Sequence, residues 1–283
     1  MQWNYTQVEQ NEFEQEYKKI NDSFKDKLVY KIGDSAGFFS EFYCTIGAMA
    51  YCLANKIKFC LNDTKANFAP RNGFEEFFEP FYKTDRRSFV SKHNFRYWQG
   101  NWEEDENYKS IVLRTRLRKF LSGTKYFTQD VFQKIFYFYS SANATPSNYP
   151  IKVENDLVMF QFLTRMLWKL NKKTKEIENE ILKKMDEKSG GSFTKGKFVA
   201  MQYRKGDKFE LEKKLSPPID EYFKYISKLS NSKDILLLCD DLDAYEYMKE
   251  KYSDYNFILS ASLLKTAIII MILIKLMMRL KRS

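Results

Sequence analysis

Apolar positions in this chain switch between short runs and helical spacing, and that switching predicts the architecture. Phe198-Val199-Ala200-Met201-Gln202-Tyr203 reads as a strand that runs directly into the charged stretch Arg204-Lys205-Gly206-Asp207-Lys208. After Pro217-Pro218, apolar residues recur at helical spacing: Ile219, Tyr222, Phe223, Ile226 and Leu229. Proline in the first turn fits, because the N–H it lacks would have no intrahelical partner there. Ile235-Leu236-Leu237-Leu238-Cys239 is apolar throughout, the pattern of a strand covered on both faces as in a parallel sheet. Asp240-Asp241 ends it, residues 242–252 form the next helix, and 255–259 the third strand. This β-α-β-α-β order is the unit of an open doubly wound sheet, in which ligands bind beyond the carboxyl ends of the strands. The 204–208 cluster and Asp240-Asp241 both fall at such ends.

The N-terminal half repeats the theme. Residues 8–24 form a charged helix and Leu28-Val29-Tyr30-Lys31-Ile32 a strand. Gly33-Asp34-Ser35-Ala36-Gly37 is a turn of small residues, in which Gly37 lets backbone approach a ligand. Residues 38–55 form an apolar helix burying Ile46, Ala50 and Leu53, and 58–61 the next strand. Residues 62–102 are irregular and aromatic, read either as a sugar-stacking acceptor surface or, preferably, as a loop-rich core. Helices follow at 108–122 and 128–139, then the turn-forming segment Asn143-Ala144-Thr145-Pro146-Ser147-Asn148-Tyr149-Pro150 as a linker. Residues 156–187 read as one long helix with an apolar stripe and a solvated, mixed-charge end. The expected organisation is α/β, with two Rossmann-type halves carrying parallel sheets: an N-terminal domain at 1–150, a C-terminal domain at 151–260 that is incomplete, and an aberrant tail at 261–283.

The tail changes the meaning of the net charge of +10, since Lys265, Lys275, Arg279, Lys281 and Arg282 lie in it without an acidic partner. The remaining 42 basic and 37 acidic residues suit an anionic small ligand, and no nucleic-acid motif is present. Ala267 to Ile274 is an apolar run too short to span a bilayer before Lys275 interrupts it. A reading-frame change near Ser260 is preferred to a membrane anchor or peripheral membrane contact through the tail. The polar N-terminus carries no signal peptide, which places the chain in the cytoplasm. Cys44, Cys52, Cys60 and Cys239 read as buried free thiols, and His93 is the one histidine, so no metal site is expected.

The chemistry gathers after the first strand of the C-terminal half. A guanidinium at Arg204 grips a diphosphate through paired hydrogen bonds, and the Lys208 ammonium adds a point charge. Together they stabilise a leaving nucleoside diphosphate without a metal ion. Glu212 stands to take the proton of an attacking hydroxyl. Asp241 accepts from the N–H groups of a guanine.

Gln202-Tyr203-Arg204-Lys205-Gly206-Asp207-Lys208 resembles the His-x-Arg-x-x-Asp-Lys motif of the GDP-fucose-dependent fucosyltransferases, most closely the α1,6 type that includes the rhizobial nodulation enzymes. Glu212 matches an acidic residue proposed as base in that family. Pro218-Ile219-Asp220-Glu221-Tyr222 is similar to the segment that opens its next helix, and Asp240-Asp241 to its next strand end. Gly37 sits where the family has a glycine-containing loop. The resemblance implies a GT-B-like fold and an inverting, metal-independent transfer of fucose from GDP-fucose to a glycan hydroxyl, with no cofactor. Gln202, Arg204, Asp207, Lys208, Asp241 and Gly37 would hold the donor, and Arg204 and Glu212 would act in catalysis. Gln202 replaces the usual histidine, and nothing after Ile258 continues the likeness. Two alternatives remain open: a truncated, inactive sugar-nucleotide binder, and a metal-dependent transferase using Asp241-Leu242-Asp243 as a D-x-D motif.

Overall fold

The computed structural model describes residues 7–33, 37–64, 66, 69, 71–95, 108–140, 148–192, 195, 197–203, 217–239 and 241–259. The chain divides into two compact units, one of Asn4–Asn171 and one of Lys172–Ser283 together with Met1–Trp3.

In the first unit, helix α1 (Gln7–Ser23) leads to strand β1 (Lys27–Lys31), helix α2 (Phe38–Ala54) and strand β2 (Lys58–Asn62). Strand β1 pairs in parallel with β2, so the predicted βαβ unit is formed. Leu28, Val29 and Tyr30 are consecutive and fully buried, as are Phe59 and Leu61, because helices and loops cover both faces of the sheet. The sheet has the order β2-β1-β3, where β3 is the two-residue strand Tyr126–Phe127 between helices α4 (Tyr108–Ser122) and α5 (Thr128–Ser140). A short helix, α3 (Ser88–Ser91), precedes α4.

Strand β2 is an edge, and its outward backbone groups are buried. Asn21 satisfies those of Phe59 with its side chain, accepting from Phe59 N–H at 2.7 Å and donating to Phe59 C=O at 3.1 Å. Those of Leu61 pair with backbone, Leu61 N–H donating to Lys83 C=O at 2.9 Å and Leu61 C=O accepting from Asp85 N–H at 2.8 Å. Asn94 does comparable work on the other side of β1, donating to Val29 C=O at 2.7 Å and accepting from Thr128 N–H at 2.9 Å.

The long helix expected over 156–187 is two helices, α6 (Asp156–Leu167) and α7 (Lys172–Lys188). Tertiary pairing overrides helical propensity between them. Glu79 N–H donates to Lys169 C=O at 2.6 Å and Asn171 N–H to Phe77 C=O at 3.0 Å, while the Asn171 amide donates to Glu75 C=O at 2.8 Å. Trp168 turns into an aromatic cluster with Phe38, Phe39, Phe42 and Phe78. Helix α6 packs on α1 and α2. Phe74, Phe78 and Phe81 are buried, so the described part of the aromatic segment is loop-rich core. Tyr97, Trp98 and Trp102 lie outside the described residues, as does most of the linker segment. Helix α7 ends at Gly190 and Gly191, whose φ values of +58° and +83° suit glycine.

The second unit carries the β-α-β-α-β order read from the sequence: β4 (Val199–Tyr203), α8 (Ile219–Leu229), β5 (Asp234–Cys239), α9 (Leu242–Lys251) and β6 (Asn256–Leu259). Its sheet has the order β4-β5-β6 with both pairs parallel. Ile235, Leu236 and Leu237 are buried on both faces of the central strand, whereas edge strand β4 alternates exposed Ala200 and Gln202 with buried Met201 and Tyr203. Phe223 of α8 stacks on Tyr252 at 3.5 Å between ring centroids. Asp220 joins the same two elements, accepting from Lys251 and from the Tyr252 hydroxyl, each at 2.7 Å. Among the described residues no helix is long and apolar enough to cross a membrane. The tail lies outside them.

Candidate functional site

The carboxyl edge of the second sheet is defined by its register. Gln202 pairs with Leu238 and Tyr203 with Cys239, so the segment beginning at Arg204 and the segment containing Asp241 leave adjacent strands, roughly 5 Å apart, at one edge. Arg204, Asp207, Lys208 and Glu212 lie outside the described residues, so their side chains have no described place. Gln202 is exposed, on the face of β4 opposite Met201 and Tyr203 and therefore away from the apolar layer those two share with α8 and α9. Its amide offers both a donor and an acceptor.

Asp241 is half-buried at the N-cap of α9, with Oδ1 accepting from Ala244 N–H at 3.1 Å. Capping gives this residue a structural role at the start of α9 and fixes its side chain at the strand end. The Cys239 thiol donates to Asp241 C=O at 3.0 Å, which ties the turn to β5. Asp243, the other half of the D-x-D string, is exposed in the first turn of α9. Among the described residues no group of three or more His, Cys, Asp or Glu side chains gathers closely enough to hold a metal ion.

In the first unit the turn after β1 and the chain after β2 emerge together, Lys31 pairing with Asn62. Gly37 caps α2 in extended backbone, φ −62° and ψ 154°. A Cβ there would meet no protein atom within 4 Å, so packing does not require glycine. Gly33 is the crowded position: a Cβ would stand 2.6 Å from Oε1 of Glu41. Glu41 is fully buried in the first turn of α2 and accepts from Gly33 N–H at 2.9 Å, tying the end of β1 to the start of the helix. The sequence reading missed Glu41 because it treated α2 as an apolar helix. A single carboxylate eight residues after Gly33 was the available signal.

Beyond β2 lies a cavity of about 550 Å³, lined by Asp63, Thr64, Arg71, Asn72, Gly73, Glu75 and Arg86. Asp63 is fully buried, and Arg86 grips it with two hydrogen bonds of 2.7 Å. Phe74 N–H adds a third at 2.7 Å. Arg86 also reaches Glu75 at 2.8 Å, and the two carboxylates hold its guanidinium firmly in the charged form. Gly73, at φ +62° and with Asp63 in the way of any Cβ, permits the turn that wraps the carboxylate. This network was also missed. Its signal was Asn72-Gly73 between an acid just after a strand and the pair Arg86-Arg87.

Fold and sheet edges together define an α/β protein with, among the described residues, two three-stranded parallel sheets. No family model matches the chain, and no curated protein matches it. Among solved structures it is similar to the crystal structure of the fucosyltransferase NodZ from Bradyrhizobium, at 11% identity and a TM-score of 0.47, over 90% of this chain and 83% of that one.

Proposed function

We propose that this chain is a glycosyltransferase that takes its sugar from a nucleotide-sugar donor, and specifically an inverting, metal-independent enzyme that moves fucose from GDP-fucose to a glycan hydroxyl. The observation carrying this reading is the Tyr203–Cys239 register pair. It brings the start of the Arg204–Lys208 segment and the turn of Asp241 to one edge of a parallel sheet, where nucleotides bind in such folds.

In this scheme Arg204 and Lys208 hold the diphosphate and neutralise the charge that develops on it as the glycosidic bond breaks. Asp207 orients that loop. Gln202 donates to the nucleotide, and Asp241 accepts from the guanine. Glu212 takes the proton from the acceptor hydroxyl as it attacks the sugar carbon from the opposite face. The cavity beside Asp63 mixes the Arg71 guanidinium and Asn72 amide with the Glu75 carboxylate, a donor and acceptor set suited to sugar hydroxyls.

Thermal unfolding with and without GDP tests the donor site, since a ligand that binds only the folded state raises Tm. GDP is expected to stabilise the wild-type chain and not Arg204→Ala or Lys208→Ala. Equal stabilisation of all three would overturn the assignment. Turnover abolished by EDTA and restored by Mn²⁺ would instead favour the D-x-D reading.

A further inference from the structure

The last turns of helix α4 are built inside out. Over the nine residues from Leu113 to Leu121 the side chains turned to solvent are the large apolar ones: Leu113 is 71% exposed, Leu117 52%, Phe120 82% and Leu121 54%. The side turned inward carries Thr115 and Ser122, both buried, with Arg118 and Lys119 half-buried between them. At about 100° per residue, Leu113, Leu117 and Phe120 fall within an arc of roughly 60°, with Leu121 and Arg114 along one border and Arg116 along the other. Arg114 and Arg116 are exposed.

The fold holds this orientation. Ser122 C=O at the end of the helix accepts from Lys27 at 2.9 Å and from Arg87 at 3.2 Å, cations placed where the helix dipole favours them. Lys119 reaches Asp130 at 3.1 Å, and the Arg118 guanidinium lies over the Phe89 ring. These contacts at Lys119, Arg118 and the Ser122 carbonyl fix the helix's rotation, and turning the leucines inward would break them.

We propose that this face of α4 seats the protein on the surface of an anionic lipid bilayer. The inference does not rest on the transferase reading. An apolar stripe bordered by arginines is the arrangement of a helix lying in the membrane interface, leucine and phenylalanine entering the acyl boundary while the guanidiniums meet lipid phosphates. Charge decides among occupants. The helix contains Lys109, Arg114, Arg116, Arg118 and Lys119 and no acidic residue, the acidic run Glu103–Glu106 preceding its N-terminus. A second copy would bring two basic helices together, which the charges oppose. A nucleic acid would leave the leucines and Phe120 without an apolar partner. The positive field is felt nearby: after burial, Arg118 and Arg114 are the main causes that hold His93 below its usual pKa.

Vesicle co-sedimentation of the full chain provides the test, using phosphatidylcholine alone and phosphatidylcholine with roughly one-third phosphatidylglycerol. The wild type is expected to bind the anionic vesicles at least about tenfold more tightly, with most of the gain lost in half-molar salt. Leu117→Glu/Phe120→Glu and Arg114→Glu/Arg116→Glu are each expected to lose about tenfold or more, with Tm unchanged because the side chains are exposed. Ile269→Asp/Leu273→Asp in the tail is expected to retain the binding that depends on α4. The proposal is overturned if the wild type ignores anionic vesicles, or if only the tail variant loses binding. It is equally overturned if sedimentation velocity shows an oligomer that Leu117→Glu/Phe120→Glu dissolves while vesicle binding persists.

Discussion

Tyr203 and Cys239 stand opposite one another as the last register pair of β4 and β5. Beyond Tyr203 the chain enters the Arg204–Lys208 segment. Beyond Cys239 it turns through Asp241, whose carboxylate caps the next helix. Parallel pairing forces both exits to the same edge, so groups separated by more than thirty residues of sequence leave adjacent strands. Cys239 is half-buried at this edge, whereas Cys44, Cys52 and Cys60 are buried.

That difference makes cysteine labelling a probe of the edge. Burial raises the Cys52 thiol well above its usual pKa and pushes Cys60 up to about 11, leaving little thiolate at neutral pH. Under native conditions iodoacetamide is expected to modify Cys239 first and the other three only on unfolding. GDP is expected to slow modification of Cys239, read by mass spectrometry of the peptide. Unchanged labelling at saturating GDP would place the nucleotide elsewhere.

The Asp63–Arg86 pair carries a structural load that can be weighed. Arg86→Ala removes two of the three hydrogen bonds made to a fully buried carboxylate. Breaking one side of such a pair is expected to cost about 3 kcal/mol, measured by chemical denaturation. Arg86→Lys should recover less than half of that, because an ammonium cannot reproduce the paired geometry. A loss within about 0.5 kcal/mol for Arg86→Ala would show that the cavity wall does not depend on the pair.

The sequence disclosed the second unit better than the first, for a physical reason. Strand β5 is buried on both faces and therefore reads as an unbroken apolar run, and the helices beside it show clear spacing from Ile219 to Leu229. In the first unit the decisive interactions are single polar side chains acting over long separations. Asn21 pairs with Phe59, Asn94 bridges Val29 and Thr128, and Asn171 ends a helix by bonding to Glu75 and Phe77. Nothing in local periodicity marks an asparagine for such a task. The two-residue strand β3 is too short to leave a period at all. The candidate site divides likewise: position along the strands placed Gln202 and Asp241 at an edge, while Glu41 and the Asp63 network became visible only through their partners.

Acid stability is expected to depend on Asp85. Burial works to raise its carboxyl, but hydrogen bonds and charge from Arg87, with Lys27 behind, outweigh burial and hold it below the usual carboxylate range. The folded pKa is therefore lower than the unfolded value of about 3.9. The unfolded chain binds the proton first as pH falls, so this contribution is complete above about pH 5 and is lost as pH drops through the folded pKa. Asp85→Asn is expected to cost about 1 kcal/mol at neutral pH, since Arg87 is partly exposed and screened. The gap to the wild type should close towards pH 3 in urea titrations taken at each pH. A gap independent of pH would show that the ion pair contributes nothing.

Gly33 and Gly37 bracket the same turn and should respond oppositely. Gly33→Ala forces a methyl group against the Glu41 carboxylate, which is buried and bound to Gly33 N–H. The expected loss is about 1–2 kcal/mol. At Gly37 the backbone is already extended, no side chain caps α2, and the space for a Cβ is open. Gly37→Ser is therefore expected to add a capping hydroxyl and gain a few tenths of a kcal/mol. If this turn lies against the sugar donor, the added side chain occupies space the ligand needs, and GDP affinity should fall even as Tm rises. Stability and binding moving in opposite directions at Gly37 would mark it as a glycine kept for the ligand. A variant that is more stable and binds GDP as the wild type does would remove Gly37 from the donor site and leave the turn a structural one, held by Glu41.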